Sequence, residues 1–134
     1  MMQVRAYTDA DFEAVRAMHA AQGFGYALPD LADPLFLVRS VVEEAGRPRM
    51  AAFLRLTAEA YLLADPYEDS PRERWRWLLE LHEAVKLQAA ARGLADVQAF
   101  LPPRVARPFG RRLAALGWRR DPWICYTRSL THGT

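Results

Sequence analysis

Between Asp65 and Trp75 the chain carries residue types that can hold an anion at the start of a helix. In Ser70-Pro71-Arg72-Glu73 the serine hydroxyl caps, the proline suits the first helical position, and Glu73 can return a bond to the cap backbone. The first turn of any helix offers unsatisfied amides and the positive end of its dipole, a combination that attracts phosphate. Arg72, Arg74 and Arg76 add charge, although their spacing spreads them around a helix instead of along one face. No glycine lies between Gly46 and Gly93, so nothing here eases close approach of a ligand to the backbone. Asp65 and Tyr67 flank the same junction, where Asp, Pro, Glu and Ser also compose an ordinary turn.

Other reactive side chains carry less. His19 and His132 have no carboxylate or cysteine partner at metal spacing, so no metal site is expected. His82 falls on the apolar face of a helical pattern and reads as a packed histidine. Cys125 has no histidine or acidic residue nearby to activate it. Arg104, Arg107, Arg111, Arg112, Arg119 and Arg120 crowd into the last third, while the carboxylates lie mostly earlier. Such a cluster suits phosphates, on a nucleotide-like group or on nucleic acid, and equally suits solubility.

At 134 residues, 51% hydrophobic and 25% charged, the composition fits one domain able to bury a core without metal or disulfides. A single cysteine points to a reducing compartment. The first residues lack the pattern of a signal peptide, and no apolar run approaches the ~20 residues of a membrane span. The cytoplasm is the expected location, with no membrane partner.

The elements that must position these groups follow from periodicity and punctuation. Residues 3–7 read as a strand. Thr8 caps a helix whose apolar stripe is Phe12, Val15, Met18 and Ala21, and Gly23 ends it. Residues 24–34 form a loop or irregular helix with apolar content. Residues 35–43 and 49–57 read as strands around a hairpin turn at residues 44–48. Ala58-Glu59 then reads as a tight connection into a fourth strand over residues 60–65. A long helix runs from Ser70 to about Arg92, closed by Gly93, with Trp75, Leu78, Leu79, His82, Val85 and Ala89 on one face. A fifth strand is expected over residues 94–101, a further helix ending at Leu116 before Gly117, and a last strand over residues 119–130. The expected class is α/β (α+β), a mixed and mostly antiparallel sheet of about six strands flanked by helices, in the order β-α-β-β-β-α-β-α-β.

That order at this length resembles the GNAT (N-acetyltransferase) superfamily over nearly the whole chain. Phe36-Leu37-Val38 with Gly46 looks like the family's second strand and hairpin, and Ala64-Asp65-Pro66 is similar to the end of its fourth strand. Leu113-Ala114-Ala115-Leu116-Gly117-Trp118 resembles its closing pattern Tyr-x-x-Leu-Gly-Phe. The resemblance implies an acyltransferase that takes an acetyl or other acyl group from acyl-CoA to a primary amine. The backbone near Leu63 and Ala64 would then hold the pantetheine arm. The amides after Ser70, with Arg72, Arg74 and Arg76, would face the pyrophosphate in place of the family's glycine loop. Leu113 stands where many members carry an acidic tyrosine, so Tyr126 becomes the substitute proton donor. Glu43, Glu59 and Asp65 are nominated as proton acceptors for the amine. Phe24, Tyr26 and Leu28 fall in the segment that shapes the family's acceptor pocket, and homodimers paired through the last strands are implied.

Two other readings stay open. The missing glycines and Leu113 fit a GNAT fold kept as a binding or regulatory module without catalysis. Nucleic-acid binding would rest on Arg104, Arg107 and Arg111 at helical spacing, with Arg119, Arg120, Trp118 and Trp123 nearby. No recognised nucleic-acid motif accompanies them, and the adenosine phosphate of CoA would explain the same charge.

Overall fold

The computed structural model describes residues 1–65 and 70–131. The chain divides into two units, Met1–Ala99 and Phe100–Thr134.

In the first unit β1 (Gln3–Ala6), β2 (Phe36–Glu44) and β3 (Arg47–Arg55) form an antiparallel sheet in that order. Ala45 and Gly46 make the hairpin turn with φ of 55° and 75°, the left-handed pair that lets a two-residue loop match the twist of its strands. Phe36 pairs with Arg55 and Val38 with Leu54, so Leu37 is an extra residue in β2. This bulge returns Phe36 to the face carrying Phe53, while Leu37 is 66% exposed. A 3-10 turn at Asp9–Asp11 leads into α1 (Phe12–Gln22), which ends at Gly23 with φ 67°. Val15 of α1 packs with Leu31 and Phe36 against Tyr7, Leu28, Ala51 and Phe53. The Phe53 ring meets Tyr7 and Phe36 edge-on at 5.3 and 6.2 Å. Val4, Val38, Met50 and Leu54 of the same sheet are exposed.

A partly buried ion network fixes the first strand. Asp11 receives both terminal nitrogens of Arg5 at 2.8 Å and the Thr8 backbone N–H at 2.9 Å. Arg5 Nε donates to Glu43 at 3.0 Å. The Arg5 guanidinium, with help from the Thr8 N–H, holds the Asp11 carboxyl far below the usual carboxylate range. Asp11 and Glu43 in turn raise Arg5 above its ordinary value.

Strand expectations change after β3. Ala58 and Glu59, read as a connection, are themselves β4 (Ala58–Glu59), paired in parallel with β5 (Val97–Gln98). Residues 60–65 form no strand. Leu56 and Thr57 separate β3 from β4, and β5 offers only two residues to pair with before Pro102 and Pro103, which have no N–H to extend a ladder. α2 (Pro71–Ala91) follows, capped by Ser70 and closed at Gly93, φ 82°. There Gly93 N–H bonds the Ala90 carbonyl and Leu94 N–H the Ala89 carbonyl, the double bond pattern of a glycine-terminated helix.

The second unit is built on α3 (Pro103–Ala115). It closes in the same way, with Gly117 at φ 94° and Trp118 N–H on the Leu113 carbonyl. Residues 119–131 form no strand, and Trp123, Ile124, Tyr126 and Leu130 are exposed. Alternation there is not matched by a partner ladder, which is what turns a pattern into a strand. Among the described residues the class is therefore α+β, with three α-helices and five strands in two sheets, not about six strands in one.

Candidate functional site

Glu59, Leu63, Ala64 and Asp65 lie in and just after the short parallel pair, and Ser70, Arg72, Arg74 and Arg76 lie at the start of α2. Three contacts pin the end of β3 and β4 to β5: Arg55 to the Asp96 carboxylate at 2.9 Å, Thr57 Oγ1 to Gln98 Oε1 at 3.5 Å, and the Ala60 N–H to the Gln98 carbonyl at 2.7 Å. Pairing stops there. Among the described residues, the backbone groups of Tyr61, Leu62, Leu63 and Ala64 enter no ladder. Leu63 is 92% exposed and Ala64 is also exposed.

Glu59 closes the paired stretch with its carboxylate exposed. Hydrogen bonding to Glu59 pushes the Tyr61 hydroxyl above its ordinary pKa, so this phenol keeps its proton well past neutrality. Tyr61 is absent from the sequence-based candidates. Its signal was the two-residue spacing from Glu59, which puts both side chains on one side of extended backbone. Asp65 is exposed at the end of the segment. Tyr67, with Pro66, Glu68 and Asp69, lies outside the described residues, as does His132.

At α2 the local chemistry consumes much of what an anion would use. Pro71 has no N–H, the Ser70 hydroxyl accepts from Glu73 N–H at 3.2 Å, and Arg74 N–H bonds the Ser70 carbonyl at 3.1 Å. Arg72 N–H is the first-turn amide left over among the described residues. The Glu73 carboxylate accepts from Arg76 at 2.7 Å. Arg72 is exposed and Arg74 half-buried.

The remaining nominees separate. Glu43 is held by Arg5 and serves the fold as an ion-pair partner. Phe24 and Tyr26 stack at 5.7 Å, and His19 meets Tyr26 edge-on at 5.3 Å while its Nε2 lies 2.9 Å from the Tyr26 carbonyl. Leu28 turns instead into the core. The three expected pocket residues thus split into an exposed aromatic cluster and a packing residue. Tyr126 belongs to the second unit and is 92% exposed. His82 is half-buried on α2. The described residues contain no group of three or more metal-ligating side chains and no helix long and apolar enough to cross a membrane.

No family model, curated protein or solved structure matches the chain.

Proposed function

We propose that the chain is a GNAT-like N-acyltransferase that moves an acetyl or other acyl group from acyl-CoA to a primary amine of a small molecule or peptide. The observation that supports this reading is the parallel pair β4–β5, which ends after two residues and leaves residues 61–64 with backbone groups in no ladder among the described residues. An extended, amide-rich arm such as pantetheine binds by adding hydrogen bonds to a strand of this kind. Leu63 and Ala64 would hold that arm, while Arg72, through its amide and guanidinium, and Arg74 would meet the phosphates. The cosubstrate's thioester supplies the activated acyl group. Glu59 accepts a proton from the attacking amine, and the Tyr61 phenol beside it is a protonated donor at neutral pH. Direct attack asks chiefly for positioning and one base.

Thermal melting with excess acetyl-CoA tests the reading. The expected result is a raised midpoint, equivalent to about 2.7 kcal/mol at a hundredfold excess over Kd. Thiol release with a panel of amines should accompany it and fall about a hundredfold or more in Glu59→Gln. An unchanged midpoint at millimolar acetyl-CoA refutes the reading.

A second reading, a GNAT fold retained as a binding or regulatory module, is favoured by the start of α2. Its capping serine already occupies the Glu73 amide, and one first-turn N–H remains where a pyrophosphate grip would use several. This reading predicts no thiol release with any amine, whether or not the midpoint moves.

A further inference from the structure

On the helices of the first unit three cations pair with a carboxylate three residues earlier: Arg16 with Glu13 at 2.8 Å, Arg76 with Glu73 at 2.7 Å, and Lys86 with Glu83 at 3.0 Å. α3 breaks that habit. Its sequence contains no acidic residue, and Arg104, Arg107 and Arg111 are exposed and without a carboxylate partner among the described residues. Their spacing places them within one narrow arc of the helix over a length of about 10 Å. Val105, Phe109, Leu113 and Leu116 recur on another face; Phe109, Leu113 and Leu116 are half-buried. The arginine face is therefore the one turned to solvent. Residues 100–134 hold seven arginines against a single acidic residue, Asp121, which Arg119 approaches at 4.0 Å.

This arrangement has a local cost. Arg104 sits in the first turn, where the helix dipole disfavours a cation, and three like charges on one face repel each other. A polyanion relieves both effects. Duplex nucleic acid carries about one negative charge per 1.7 Å, dense enough to face all three guanidiniums at once.

We infer that the Arg104–Arg107–Arg111 face of α3 docks the phosphodiester backbone of nucleic acid, without sequence preference. Nothing reads base edges in this contact; guanidiniums displace counterions from phosphates, so affinity falls steeply with salt. Single-stranded and duplex forms share the chemistry. Trp123 and Tyr126, both exposed, add stacking surfaces that a single strand can use.

The experiment is fluorescence anisotropy of the full chain with a labelled single-stranded oligonucleotide and its duplex, over a salt series. The expected result is binding to at least one form, and an Arg104→Gln/Arg107→Gln/Arg111→Gln variant that binds about tenfold or more weakly. Its log affinity against log salt should be flatter by about 2.7 on duplex or about 2 on single strand. A triple Arg→Lys variant should keep the slope, and far-UV circular dichroism should show α3 intact in both. Absence of salt-dependent binding overturns the inference, as does an unchanged slope in the glutamine variant. Displacement of the oligonucleotide by saturating CoA would assign the arginines to the cosubstrate instead and overturn it. Binding to anionic phospholipid vesicles with no binding to either oligonucleotide would also overturn it, in favour of a lipid surface. Loss of acyl transfer leaves this outcome unmoved, since the readout is binding at α3 alone.

Discussion

Asp11 is the residue on which the first unit's electrostatics turn, because it is buried and its carboxylate takes three short bonds from Arg5 and Thr8. Its folded pKa lies below the unfolded value, so folding favours the ionised form. That contribution is complete above about pH 4 and is lost as pH falls toward the folded value. Asp11→Asn should lower the unfolding free energy by about 2 kcal/mol at neutral pH. Denaturation curves should show the gap between wild type and variant closing below about pH 4, and a constant gap down to about pH 2 would contradict the assignment. None of this was readable in advance. Asp9 and Asp11 look alike as first-turn acids, and only the register that brings Glu43 and Arg5 to the same sheet face separates them. Site residues were more legible in part: Ser70 stands at a helix start that its own sequence marks, whereas Glu59, read as a connection, needed its pairing with Gln98 to become the end of a strand.

At the scale of elements, helix ends were written locally and strand partners were not. Gly23, Gly93 and Gly117 each take the left-handed conformation that stops a helix, at the positions their sequence context indicates. The Ala45-Gly46 turn likewise needs only its own residues. β4 depends on Asp96 and Gln98, about forty residues away, so the pattern after Thr57 placed the strand a few residues late. Capping provides the test at this scale. Ser70→Ala removes the acceptor for Glu73 N–H and should cost about 1 kcal/mol, seen as lower helicity at the start of α2 and an earlier unfolding midpoint. In the acyltransferase reading the same change frees an amide for phosphate, so acetyl-CoA affinity should hold or improve while stability falls. Reduced affinity would show that the hydroxyl itself contacts the ligand.

Across the whole molecule burial is concentrated. Val15, Leu31, Phe36, Val41 and Asp11 are the buried residues described, all in the first unit, while α2 and α3 contain none. Amides whose bonds are shielded by such packing open only with the core, and surface helices open alone. Hydrogen exchange by mass spectrometry should therefore show the slowest amides in the centre of β2 and β3 around Val41 and Ala51, with α2 and α3 exchanging faster. Uniform protection along the chain would mean that the helices share the core's cooperativity. Ligand binding gives a second contrast: acetyl-CoA should slow exchange in residues 59–65, and oligonucleotide should slow α3.

The extra residue at Leu37 gives β2 a change of parity. Counting in twos from Val41 lands on Leu37, an exposed side chain, and misses Phe36, a buried one. Inside and outside thus swap between even and odd positions at one point in the strand. The aromatic trio of Tyr7, Phe36 and Phe53 exists because of that swap. Deleting Leu37 would restore an unbroken count, and it would do so by turning Phe36 away from the Phe53 ring it now meets.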